Sequence, residues 1–141
     1  MGSMTRIEAQ LWVKNFNFWA LVGASPKPAK YAYQLFQALR LMGKTVFPVN
    51  PAYPAIDGLQ CYATLVALPI RPEVVVVGMA PARTLEQGGA LQQEDRVPLW
   101  FPPPCFDDAV LAALEHRPYS FVADLCPIGL GLEAGLLKEK P

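Results

Sequence analysis

The sequence predicts a three-layer α/β domain built on a parallel sheet of about five strands. Three observations predict it: short apolar runs near residues 18–22, 45–49, 74–77, 97–101 and 119–123, helical patterns between them, and a glycine, Gly23, ending the first run. Strands buried on both faces read as near-continuous apolar runs, and alternating strands and helices imply right-handed crossovers within one parallel sheet. That arrangement is of Rossmann type.

Residues 7–14 predict a short leading helix with Ile7, Leu11 and Lys14 on one side. The first strand follows over 18–22 and stops at Gly23. Between residues 31 and 42 the apolar positions Ala32, Leu35, Phe36, Leu39 and Met42 recur at spacings of three and four, and Gly43 then stops the helix. Residues 45–49 are rich in β formers and end at Asn50-Pro51, where proline discourages helix. The proline-rich residues 51–59 read as loop, with a helical turn near 64–68. Val74 to Val77, four consecutive β-branched residues, mark a buried third strand. Pro81 suits the first position of the next helix, which Gly88-Gly89 weakens. A fourth strand is expected over 97–101. Asp107 then caps a helix with Val110, Leu111 and Leu114 on one face, ended by His116, Arg117 and Pro118. Residues 119–123 give the fifth strand, and the tail from Gly129 to Leu137 has no clear pattern.

Composition narrows the function. The chain has 141 residues, enough for one domain with a real core, and residues 4–141 read as that domain behind vector residues Met1-Gly2-Ser3. Hydrophobic residues make up 52% and charged residues 17%, too apolar for disorder. Twelve basic and twelve acidic residues cancel, without the basic cluster of a nucleic-acid binder. Neither a membrane span nor a secretory leader is visible, so a soluble cytoplasmic protein is expected. Cys61, Cys105 and Cys126 are odd in number and widely spaced, which suits neither a disulfide framework nor a metal site. A homo-oligomer stays open.

In an open parallel sheet, ligands bind beyond the carboxyl ends of the strands, where strand order reverses. The segments nominated are Gly23 to Ser25, Asn50-Pro51, Gly78 to Pro81, Pro102 to Cys105 and Asp124 to Pro127. At Gly23-Ala24-Ser25 a glycine lets the backbone approach an anion, while the serine hydroxyl and the amides of the coming helix can donate to phosphate. Lys27 and Lys30 can add charge. Only one glycine of the usual dinucleotide fingerprint is present, so an ordinary strand-to-helix turn is the alternative. Asn50 stands where domains that prefer NAD carry an acidic residue for the ribose hydroxyls. An uncharged amide disfavours NAD and tolerates a phosphorylated ribose, although asparagine before proline also reads as a simple turn.

These residues bring a family into view. Val22-Gly23-Ala24-Ser25, then Pro28 and Lys30, then Pro48-Val49-Asn50-Pro51, resemble the small stand-alone CoA-binding proteins related to the CoA-binding domain of succinyl-CoA ligases. Gly58, Tyr62, Leu65, Pro69, Trp100 and Asp124-x-Cys126-Pro127 extend the likeness over roughly residues 11–127. The resemblance implies coenzyme A as cofactor, with Gly23, Ala24 and Ser25 at its diphosphate, and Lys30 where the family often has arginine. Asn50 and Pro51 would border the adenosine. Gly78 and Met79 would complete the site in place of the family's frequent Phe-Arg, which removes a cation. Pro102-Pro103-Pro104 replaces the usual Gln-Pro-Gly and alters the pantetheine end.

A catalytic constellation is missing from this pattern. His116, at the end of a helix, falls on the opposite edge of the sheet and reads as a helix-terminal cation. Asp107-Asp108 reads as a cap. Cys126, on the ligand edge, is either a buried apolar residue or a thiol able to exchange with the thiol of CoA. A non-catalytic CoA-binding protein is the expectation. The alternatives are an NAD-linked oxidoreductase or acyl-CoA ligase-like enzyme fragment, and a domain that has lost its ligand and serves as an interaction partner.

Overall fold

The chain folds as the alternating pattern requires, in a computed structural model that describes residues 5–86, 97–114 and 121–141. Its main sheet holds β1 (Phe18–Val22), β2 (Thr45–Val49), β5 (Val74–Val77), β6 (Leu99–Phe101) and β7 (Phe121–Ala123), all parallel, in the order β2-β1-β5-β6-β7. A separate hairpin pairs β3 (Ala55–Ile56) with β4 (Leu59–Gln60). The order reverses at β1, which pairs with β2 on one side and β5 on the other.

Alternation along each strand divides the core in two. Trp19, Leu21, Val74, Val76, Trp100 and Val122 face the layer of α1 (Arg6–Asn15), α2 (Tyr31–Leu41) and α5 (Pro127–Glu133). Ala20, Val75, Val77, Leu99, Phe101 and Phe121 face the opposite layer, where α4 (Asp108–Leu114) packs beside α3 (Pro81–Glu86). All four valines of β5 are fully buried, as a strand covered on both faces demands.

The helix ends are chemically marked. Thr5 caps α1, its hydroxyl oxygen accepting from the Glu8 amide at 3.3 Å, and Asp107 caps α4, accepting from the Val110 amide at 3.0 Å. The end of α2 closes with Gly43 in the left-handed region, its amide bonding Arg40 while the Lys44 amide bonds Leu39. The same motif at Gly135 ends α5, so the tail of unclear pattern is a helix with Pro127 at its start.

Several elements differ from the sequence expectation. On α1 the buried residues are Ala9 and Val13, while Ile7 and Leu11 face solvent, because the small Ala9 allows close approach to the sheet layer. Residues 51–59 are not only loop: Asp57 and Gly58 both adopt positive φ, 48° and 79°, and close the β3–β4 hairpin. The fourth strand begins at Leu99 rather than 97, after Pro98, whose carbonyl accepts from Val75 while the residue has no amide to donate. The fifth strand is described from Phe121 onward. Gly88-Gly89, His116 and Tyr119 lie outside the described residues. No described helix is long and apolar enough to cross a membrane.

Trp100, on β6, ties the sheet to the helix layer of α1. It is fully buried, its ring centroid lies 5.8 Å from Trp19 and 6.2 Å from Trp12, and its indole N–H donates to the Leu125 carbonyl at 2.7 Å. Replacing it removes a large packed ring and leaves that carbonyl without its donor. Trp100→Ala is expected to lower the free energy of unfolding by about 3–5 kcal/mol, measured by urea titration.

Candidate functional site

The carboxyl ends of β1, β2 and β5 converge where the strand order reverses, and a cavity of about 400 Å³ opens there. That volume lies within the range of about 300–1,000 Å³ usual for small-molecule sites. Gly23, Ser25, Lys27 and Lys30 line it after β1, Tyr31 and Ala32 from the first turn of α2, Asn50 and Tyr53 after β2. Gly78, Met79, Ala80 and Arg83 line it after β5, and Pro104 and Cys105 after β6.

Gly23 is required by two constraints. Its φ is +84°, and a Cβ at this position would lie 2.2 Å from Met79 Cγ. Met79 is thereby packed into the turn, and the β1 and β5 ends are in contact. Gly78 is tight as well, since a Cβ there would lie 3.2 Å from Ala32 Cβ at the start of α2.

The turn is also tied to β2. The amides of Gly23 and Ala24 both donate to the Val49 carbonyl, at 2.9 and 3.3 Å. Asn50 Nδ2 donates to the Ala24 carbonyl at 2.9 Å, and Asn50 Oδ1 accepts from the Ala52 amide at 2.9 Å. The Gly23 and Ala24 amides are therefore occupied. Donors for an anion lie further on: the amides of Tyr31 and Ala32 open α2, where no intrahelical acceptor exists, and both residues border the cavity. Lys30 occupies the N-cap and makes no side-chain cap bond. The Ser25 hydroxyl accepts from the Lys27 amide at 3.2 Å and shapes the approach to the helix.

Lys27, Lys30 and Arg83 carry positive charge on the wall, and no carboxylate lines it among the described residues. The buried phenol and thiol on the wall, Tyr31 and Cys105, stay neutral at physiological pH. Burial pushes the Tyr31 phenol well above its ordinary value, with further upward contributions from its hydrogen bond to Cys126 and from the two nearby thiols. Burial likewise raises the Cys105 thiol to about 12, assisted by Cys126. No acidic side chain among the described lining residues offsets the three cations.

Of the residues nominated from sequence, Gly23, Ser25, Lys30, Asn50, Gly78 and Met79 meet at one cavity. Ala24 is fully buried and Pro51 is exposed, and neither lines the wall. Cys126 is half-buried behind Tyr31, its Sγ 2.9 Å from the Tyr31 hydroxyl, so the thiol on the wall itself is Cys105. Pro104, Cys105 and Ala80 belong to segments nominated by the strand-end rule. Tyr31, Tyr53 and Arg83 do not: they sit one turn or more beyond the strand ends, within reach only once the helices and the β2 loop are placed. Asp124, after β7, is exposed with a φ of 64° and stands off the wall. Among the described residues no group of three His, Cys, Asp or Glu side chains gathers to hold a metal.

Gly23→Ala is expected to destabilise the fold by about 1–3 kcal/mol through the positive φ and the displaced Met79, measured by chemical denaturation. The buried Tyr31 and Cys105 also set an alkaline limit. Unfolding returns their pKa values to about 10.0 and 9.0. Above pH 9 the unfolded chain sheds protons that the folded chain keeps, so stability falls as pH rises. The melting temperature should decline progressively between pH 9 and 12, and Cys105→Ala should reduce the steepness of that decline.

Comparison with known proteins agrees with this geometry. Residues 17–131 match the CoA binding domain family. The chain is 33% identical over 64 residues to ADP-forming acetate–CoA ligase I of Archaeoglobus fulgidus, a stretch covering 45% of this chain and 9% of that enzyme. Among solved structures it is similar to a conserved hypothetical protein of Pyrococcus furiosus, at 34% identity and a TM-score of 0.71, over 81% of this chain and 98% of the other. A hypothetical protein from Pyrococcus horikoshii OT3 superposes with a TM-score of 0.79 at 28% identity, covering 92% of each chain. Prb, a protein redesigned for binding, gives 0.82 at 26% identity over 99% of this chain and 97% of its own. The family match runs through all five strands of the main sheet and through the cavity at its reversal point, and the chain belongs to the CoA-binding domain family.

Proposed function

We propose that this protein binds coenzyme A, without transforming it, in the cavity at the carboxyl ends of β1, β2 and β5. The observation that carries the reading is the charge of that cavity: three cations and the free amides of α2 face it, and no described acidic side chain does. On a molecule with twelve basic and twelve acidic residues, such a concentration favours a polyanionic ligand. Family membership supplies the identity of that ligand.

In this reading the diphosphate rests over Gly23, where the absence of a side chain permits close approach, and against Ser25, Lys30 and the first amides of α2. The adenosine lies toward Asn50 and Tyr53. Asn50 supports CoA over NAD in a second way, because both polar atoms of its side chain are already bonded to the backbone. An acidic residue at this position, as NAD domains use, would turn a carboxylate oxygen toward the Ala24 carbonyl. Met79, Pro104 and Cys105 leave an apolar stretch suited to pantetheine.

The chemistry of the wall supports the non-catalytic part of this reading. Tyr31 and Cys105 are held protonated, and neither a histidine nor a carboxylate stands beside them among the described lining residues. An oxidoreductase or ligase fragment would need such a partner. A cytoplasmic location fits the same reading, since free CoA is an intracellular ligand and the three thiols are unpaired.

Thermal unfolding with added ligand tests the proposal. A ligand bound only by the folded state, at 100 times its Kd, stabilises by about 2.7 kcal/mol. At roughly 2–4 °C per kcal/mol for a domain near this size, CoA should raise the melting temperature by several degrees. NAD at the same concentration should leave it nearly unchanged. A rise with NAD and none with CoA would refute the assignment.

A further inference from the structure

The three cations of the cavity come from opposite sides of the sheet. Lys27 and Lys30 precede α2, which covers one face, whereas Arg83 lies on α3, which covers the other. Arg83 is exposed and makes no hydrogen bond or ion pair with any described residue. Its placement is nevertheless defined. The next residue, Thr84, is only 3% exposed, and its hydroxyl lies 3.2 Å from the Ala80 carbonyl and 3.3 Å from the Cys105 carbonyl. That contact sets the rotation of α3 against the segment after β6. Met79, Ala80 and Arg83, three and four residues apart, consequently share the cavity side.

Topology says which end of a ligand Arg83 meets. β2, with Asn50 and Tyr53 after it, is on one side of β1, and β5, which leads to α3, is on the other. Met79, between β5 and α3, packs against the Gly23 turn and is uncharged. The first cation on this side of the turn is Arg83. A guanidinium presents a planar fork of donors that matches two phosphate oxygens at once, which a lysine cannot do.

Building on the CoA reading above, we propose that Arg83 grips the diphosphate of the cofactor from the α3 side, closing a two-sided clamp with Lys27 and Lys30. The 3′-phosphate of the ribose, on the adenosine side beyond β1, is outside its reach. Arg83 is thus a determinant of diphosphate recognition supplied by a helix surface rather than by a strand end.

Titration calorimetry of the full chain tests this with two ligands, CoA and 3′-dephospho-CoA. Arg83→Gln should weaken both by the same factor, about 10-fold, the loss of one charge-assisted hydrogen bond. Arg83→Lys should fall between Gln and the wild type. The melting temperature without ligand should be unchanged, since the side chain is exposed and unpaired among the described residues. Lys14→Gln, on α1, removes the same charge away from the cavity and should leave both affinities intact. Unchanged binding in Arg83→Gln, a loss confined to CoA, or an equal loss in Lys14→Gln would each overturn the proposal while leaving CoA binding standing. A folded wild-type chain that binds neither ligand would overturn the CoA reading and the Arg83 role with it.

Discussion

The site exists because β1 pairs in parallel with two strands reached by opposite routes. The chain leaves β1 through α2 to β2 on one side, then returns past β1 to β5 on the other. Right-handed crossovers place the connecting helices on opposite faces, so they diverge from the sheet at this point and leave a crevice. Every lining segment is positioned by that divergence: the Gly23 turn at its floor, the opening of α2 on one wall, and α3 on the other. The twofold burial of the strands makes the frame stiff, since each face of β1 is packed against a separate cluster.

Electrostatics adds to geometry a preference for what enters. Overall charge is balanced, yet the cavity collects three cations with no described acid, and the buried Tyr31 and Cys105 stay neutral beside them. Their positive field is unopposed by a described acidic side chain over a concave surface, where charge interactions are stronger than on an open face. The phenol and thiol line the wall as neutral polar groups.

The strands and their order of use were legible in the amino-acid sequence because they are short, apolar and punctuated: β1, β2 and β5 end at Gly23, Asn50 and Gly78, residues with a turn chemistry of their own. Those three strands needed no tertiary information beyond that punctuation. The hairpin was signalled too, by Asp57-Gly58, but its two-residue strands are too brief to show alternation and are hidden among prolines. The buried face of α1 was not legible because size, not hydropathy, decides it: Ala9 lets the helix approach the core, and Ile7 and Leu11 are left outside. In the site, glycine and asparagine announced themselves by backbone demands. Arg83 and Tyr53 did not, since a single cation or ring on a helix or loop acquires meaning only from the wall it faces.

The Asn50 amide has a consequence for how this fold can change over evolutionary time. One side chain joins the first two strand ends and, in the proposed CoA complex, also borders the ribose, so under that proposal stability and cofactor choice are not separable traits. A lineage drifting toward NAD would have to pass through forms whose central turn is loosened before any new affinity is gained. Such coupling would confine a CoA binder of this kind to its ligand class by making the intermediates poorly folded, a barrier raised against mutation itself and independent of any selection on binding.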